Sequence, residues 1–303
     1  MGAARPFACG ESTGYVAAQY GKERCVSMSE APFFDLKATH NPHRWYLPVE
    51  MALCVGRPGQ QFLYGGAGLA ASIRALEGTT GRPTIWATAQ YLDYARPGTI
   101  VDLDVLVPVS GHYTSQARVV GHVRDKEIIT VNAALGSRPS SLSHQWAKVP
   151  DVPKPEDCEP LAYIWERDPG DLYSYFDVRV VKGRHASVKD QTGEVSKDGN
   201  VVLWIRPMKG QPVDSALLAM AADFVPLAVG DAIGRAVMAN SLDNTIRFRC
   251  VVPTEWVLCD IRIHSVHGGF AHGRMHLFAE DGTLMATASQ SVIIRLAEDR
   301  WGK

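Results

Sequence analysis

Residues 97–105 (PGTIVDLDV) and residues 253–261 (PTEWVLCDI) stand 156 positions apart, 253 less 97, and laying one over the other organises the rest of the chain. Pro97 precedes Arg118, and Pro253 precedes Arg274, by the same interval. The offset also pairs Val101 with Val257, Asp104 with Asp260, Val105 with Ile261, Asp125 with Asp281 and Ile128 with Leu284. No single match carries weight. Order, spacing and pattern together extend the correspondence, without a gap, over residues 66–136 and 222–292.

Composition fits such a duplication. The 303 residues are 46% hydrophobic, enough for a large core and for roughly two domains at about 150 residues each. With 31 basic and 32 acidic residues the net charge is −1, so no global field draws nucleic acid or an anionic membrane, and a small ligand is the expected partner. The sequence shows no apolar run of the ~18 residues that span a bilayer, and the first 30 residues lack the apolar centre of a secretory signal. The expectation is a soluble, cytoplasmic protein. Cysteines at 9, 25, 54, 158, 250 and 259 form no Cys-x-x-Cys pair and no zinc spacing, which predicts free thiols. His264, His267, His272 and His276 cluster, but Gly268 and Gly269 interrupt them and the flanks read as strands whose alternate residues face opposite ways; no metal site is expected.

Outward from the paired stretches, residues 1–31 are polar and aperiodic and read as an N-terminal extension, with Met28 a candidate natural start. In the first half (32–138), the small and apolar residues 67–77 predict a helix after the turn Gly65-Gly66. Strands follow near 84–94, 99–109, 113–123 and 127–136. Prolines 139, 150, 153, 155, 160 and 169 mark 139–170 as a semi-extended linker. The second half (171–303) predicts strands near 172–182 and 201–206, and a helical segment over 213–229 that Pro226 kinks or restarts. Strands near 240–251, 255–265, 271–280 and 283–295 complete it. Each half is one helix with an antiparallel sheet, an α+β fold.

These local sequences, in this order, resemble the tandem hotdog acyl-CoA thioesterases of the bacterial thioesterase II type. The resemblance spans residues 33–297. Its carriers are Tyr64-Gly65-Gly66, Arg96-Pro97-Gly98, His144-Gln145 leading to Pro150-Asp151-Val152-Pro153, Ala222-Asp223-Phe224 with Pro226, Ser241-Leu242-Asp243, Glu255-Trp256, Gly273-Arg274, and Asp281-Gly282 leading to Gln290 and Arg295. The resemblance implies two hotdog domains in tandem, each a helix wrapped by an antiparallel sheet, and hydrolysis of acyl-CoA without a cofactor. It places the family's aspartate, hydroxyl and amide on Asp223, Ser241 and Gln290. An offset of 156 puts their first-half counterparts at Ala67, Ile85 and Ala134, all apolar, so only one copy is equipped for chemistry. Apolar positions on odd numbers over 128–136 signal a bulge or slip between the copies.

Thioester hydrolysis needs a held water, a group to take its proton, and donors for the oxyanion. The reading assigns Asp223 as base and Ser241 and Gln290 as water-positioning groups. Backbone N–H groups near Gly65-Gly66-Ala67, or at the turn of the second helix, bind the oxyanion. Gly65, Gly66, Trp86 and Tyr91 are the candidate substrate-binding residues, with Tyr94 a further candidate for an acyl tunnel. The chain departs from the family at Ala67, where glutamine is frequent, at Asn244, where histidine is, and along Trp86–Tyr94, which lacks the usual histidines. A non-catalytic acyl-CoA-binding protein and a hotdog hydratase or dehydratase stand as alternatives, and both a monomer and a homo-oligomer are compatible with two paired halves.

Overall fold

A computed structural model describes residues 34–163, 166–183, 188, 193–208 and 211–296; the N-terminal extension, Met28, Cys9 and Cys25 lie outside them. The first half holds β1 (Lys37–Ala38), β2 (Arg44–Pro48), β3 (Cys54–Val55), β4 (Phe62–Leu63), α1 (Gly65–Thr80), β5 (Thr84–Tyr91), β6 (Ile100–Ser110), β7 (Thr114–Val123) and β8 (Lys126–Gly136). After β9 (Glu159–Pro160), the second half holds β10 (Phe176–Lys182), β11 (Asn200–Pro207), α2 (Ser215–Ala222), α3 (Val225–Ile233), β12 (Val237–Ser241), β13 (Asp243–Phe248), β14 (Val257–His267), β15 (Phe270–Ala279) and β16 (Leu284–Leu296).

Alternation decides which face of each strand is buried. In β6 the side chains of Val101, Leu103 and Val105 are buried while Asp102 is exposed, and β7 buries Ala117 and Val119 in the same rhythm. Those apolar faces close over α1, whose Leu69, Ile73 and Leu76 are fully buried, while β11 to β16 cover α2 and α3, which are apolar on nearly every side. A helix buried all round needs cover on all sides, and the antiparallel sheet supplies it. One 14-stranded sheet runs β1-β2-β6-β7-β8-β5-β13-β16-β15-β14-β11-β10-β9, with β12 also on β16. From the β5–β13 seam outward, β8, β7, β6 and β2 on one side answer β16, β15, β14 and β11 on the other.

Strand pairing refines the offset between the halves. Leu103 opposes Gly121 as Cys259 opposes Leu277, an offset of 156 (259 less 103). Thr88 opposes Asn132 as Thr245 opposes Ser289, an offset of 157 (245 less 88). Thr84 opposes Leu135 as Ser241 opposes Val292, again 157, and a register shift follows each. An extra residue has therefore entered at the turn before β16. The first-half counterparts of Ser241 and Gln290 are Thr84 and Ala133, not Ile85 and Ala134. One of the compared positions thus carries a buried hydroxyl; the amide has no first-half equivalent.

The apolar run that composition seemed to exclude does exist. Ser215–Ile233 is 19 residues long, apolar enough by length and composition to cross a membrane, and mostly buried inside the fold. It is broken at Asp223 and Phe224 into α2 and α3, with Pro226 in the first turn of α3, so the proline marks a fresh start rather than a kink. Within the proline-rich stretch, Pro155–Asp157 form a short 3-10 helix, and Glu159 and Pro160 pair with β10 as a short outer strand. Cys54, Cys158, Cys250 and Cys259 are unbridged.

Candidate active site

The break between α2 and α3 sets the position of the first candidate residue. Asp214 caps α2, its carboxylate accepting from the Leu217 N–H at 2.9 Å, and after eight helical residues Asp223 stands as the C-cap. There the chain tightens: the Asp223 and Phe224 N–H groups donate to the carbonyls of Met220 and Ala221 at 3.2 Å each. Asp223 is 5% exposed, just ahead of the N-terminus of α3 and facing the N-terminus of α1 from the other half. The Gly66 N–H donates to Asp223 Oδ2 at 2.6 Å, a charge-assisted bond at a helix start where the dipole favours an anion.

Two strands bring the partners. Gln290 lies on the buried face of β16 between Ala288 and Val292 and is 3% exposed. Its Nε2 donates to Asp223 Oδ1 and, at 2.7 Å, to Ser241 Oγ. Ser241, the last residue of β12, donates to the same Oδ1 at 3.4 Å. The three side chains singled out in the sequence therefore meet. Burial pushes the Asp223 carboxyl up to about 6, while hydrogen bonds from Gln290, Gly66, Ser241 and Asn244 pull the other way. Such a carboxylate is ionised at neutral pH yet basic enough to accept a proton.

Asp223 and Ser241 lie in the wall of a cavity of about 770 Å³ between the halves, whose wall also includes Tyr64, Gly65, Tyr91, Tyr94, Tyr173 and Phe224. Gly65 has a steric reason to be glycine: a Cβ there would meet Asp223 Oδ2 at 2.8 Å and Tyr91 Cζ at 3.0 Å. At Gly66 a Cβ would meet the Met220 backbone at 2.9 Å. Along the start of α1 the Gly66 N–H goes to Asp223, and the Ala67 and Gly68 N–H groups go to the Tyr64 carbonyl. Among the described residues the Gly65 N–H makes no hydrogen bond.

Trp86 is not part of this site. Ala87 and Ala89 on β5 are fully buried, and Tyr91 continues their face toward the cavity. Trp86 is one residue out of phase, so alternation turns it to the other side of the sheet. There it lines a hollow of about 250 Å³ with Leu106, Gln116, Arg118 and Asn132. Sequence reasoning missed the far wall of the cavity, where Arg167 stacks over Tyr163 at 3.7 Å and over Tyr173 at 5.4 Å. Proline density drew attention away from the aromatic residues in that stretch. It also missed Tyr64, whose phenol donates to the Met220 carbonyl at 3.1 Å and so ties α1 to α2. No group of three or more histidines, cysteines or carboxylates with metal-binding geometry occurs among the described residues.

A family model for the acyl-CoA thioesterase C-terminal domain matches residues 155–294. A candidate thioesterase from Novosphingobium aromaticivorans is 33% identical, superposes with a TM-score of 0.77, and the match covers 88% of this chain and 99% of that one. A hot-dog-fold protein of unknown function from Alicyclobacillus acidocaldarius is 20% identical with a TM-score of 0.74, the match covering 86% of this chain and 96% of that one. An acyl-CoA thioesterase II from Mycobacterium marinum is also 20% identical, with a TM-score of 0.64 and coverage of 88% and 97%. No curated protein matches in sequence. The fold is thus a hotdog fold, and the chain belongs to the thioesterase II family of acyl-CoA thioesterases.

Proposed function

We propose that the protein hydrolyses acyl-CoA to a free acid and CoA, with Asp223 as general base and Ser241 and Gln290 as the groups that orient the attacking water. The observation that carries the reading is the convergence of these three side chains, from the α2–α3 break, β12 and β16: Asp223 and Ser241 lie in the wall of one cavity, and Gln290 donates to both. Water held at Asp223 gives up a proton to the carboxylate as its oxygen bonds to the thioester carbon. The carbonyl oxygen becomes an oxyanion and takes the Gly65 N–H, a donor fixed at a helix start. Collapse of the tetrahedral adduct breaks the C–S bond, and the proton on Asp223 passes to the departing thiolate. Atoms and charge balance without a cofactor. An acyl-enzyme on Ser241 is disfavoured because its hydroxyl hydrogen-bonds a carboxylate and an amide, with no histidine to activate it.

The same reading takes the chain as two hotdog halves in tandem, supported by the matched strand order on either side of the seam and by near-constant offsets. A hydratase or dehydratase wants a histidine beside its acid, and no histidine lines the cavity among the described residues. The test is release of free thiol from acyl-CoAs of graded length and branching, wild type beside Asp223→Ala. Turnover that disappears in the variant supports the reading. A folded wild type that binds acyl-CoA but turns over none of the panel would favour a binding protein.

A further inference from the structure

We infer that Tyr91, a residue of the first half, is a positioning residue for Asp223 in the second half and acts through the Asn244 amide. The inference rests on the reading of Asp223 as base.

The seam fixes the geometry. Strand β5 pairs with β13 with Ala89 opposite Asn244 and Thr88 opposite Thr245, and the threonine hydroxyls hydrogen-bond at 3.0 Å. Beyond the pairing, the Tyr91 N–H donates to the Leu242 carbonyl at 3.1 Å, directly after Ser241. The backbone of Tyr91 is therefore held against the strand end that carries the hydroxyl of the site. Its ring and the Asp223 carboxylate crowd the same point of α1, since a Cβ on Gly65 would touch Cζ of one and Oδ2 of the other.

Asn244, opposite Ala89 and so on the face of the sheet that Tyr91 shares, is fully buried. Its amide is near enough to both the Tyr91 phenol and the Asp223 carboxylate to favour their charged forms, although neither of its polar atoms makes a geometrically complete hydrogen bond. The Tyr91 Oη and Gln290 Oε1 are likewise buried without a complete bond. Buried polar atoms are nearly always partnered, so a group of them around one carboxylate is a set of contacts that small rotations complete. Burial, then the Asp223 charge, holds the phenol neutral and hence a donor at every working pH. With the phenol fixing one side of the Asn244 amide, the other side is presented to Asp223. The amide then stabilises the ionised base and keeps its free lone pair on the water.

Other titratable groups around the site do not compete for this role. Tyr64, ahead of α1, and Tyr173, beside Phe224, are also held neutral by burial; Cys259 on β14 is buried as a neutral thiol; Asp243 acts on Tyr91 from β13. Burial, followed by hydrogen bonds from Gln290, Gly66, Ser241 and Asn244, has the largest influence on Asp223.

The experiment measures kcat and KM against pH for wild type, Tyr91→Phe, Asn244→Ser, the double variant and Asp223→Ala, using the best acyl-CoA of the panel. Tyr91→Phe keeps the ring and its packing. It is expected to lower kcat roughly tenfold, the scale of one lost hydrogen bond, with KM little changed. The acid limb of kcat/KM should move to higher pH, because a less stabilised carboxylate protonates more readily. Asn244→Ser should do the same, and the double variant should be no worse than the poorer single. A Tyr91→Phe profile that superimposes on wild type, or losses that add in the double variant, would overturn the inference. So would full turnover in Asp223→Ala, which removes the base assignment itself; a dead Asp223→Ala beside a normal Tyr91→Phe sinks only the inference.

Discussion

Asp223 carries two opposed demands. Its burial raises the carboxyl to about 6, so the fold is favoured by the protonated form and activity by the ionised one. The stabilising contribution is fully present below the ordinary carboxylate value of 3.8 and is lost as pH rises through about 6. The two-unit gap corresponds to about 3 kcal/mol. Asp223→Asn should therefore unfold at a higher temperature than wild type at pH 7, and the difference should shrink toward pH 4; a difference independent of pH would refute this. The wild-type kcat/KM should fall below pH 6 with the slope of a single proton. At Gly66 an added methyl would press on the Met220 backbone, so Gly66→Ala should lose ~1–3 kcal/mol of stability, read from urea unfolding, along with most activity. Asp223, Ser241 and Gln290 were legible in the sequence because the order of motifs around them is specific. Tyr91's partnership with Asn244 was not, since it joins positions far apart through a strand pairing that no local pattern records. Trp86 was misread for a simpler reason: which face of β5 looks inward depends on a register shift after Thr84.

Among the elements, the strands were the most legible, because alternation survives wherever one face is buried. β6, β7, β8, β14, β15 and β16 fall within a few residues of expectation. The helical segment was less so. Its residues are apolar on every side, so periodicity gives no boundary, and only Pro226 hinted at the interruption that sets Asp223 free of helical geometry. The register between the halves was misjudged by one residue on β12 and β16, where single-residue differences in two connections leave alternation on each strand intact but move the match. α3 rests on β15 at Gly273, where a Cβ would meet Val225 Cγ1 at 2.8 Å and Ile263 Cδ1 at 2.9 Å. Gly273→Ala should push α3 outward, lowering the unfolding temperature by several degrees and reducing kcat, since Asp223 sits on the turn that leads into that helix. Unchanged kcat in a destabilised variant would show that the turn is held independently of α3.

For the whole molecule, the seam decides what a half can do alone. The second half carries Asp223, Ser241 and Gln290, yet the Gly66 N–H, the Gly65 N–H and Tyr91 come from the first. A fragment of residues 155–296 should be inactive and, with the β13 edge left unpaired, prone to aggregate; supplying residues 34–138 in trans should restore turnover. Activity in the isolated second half would refute a shared site. The half that lacks the acid and the amide is thus still answerable for the proposed reaction at the first turn of its helix and at the end of one strand, so selection should act on the two halves as one unit.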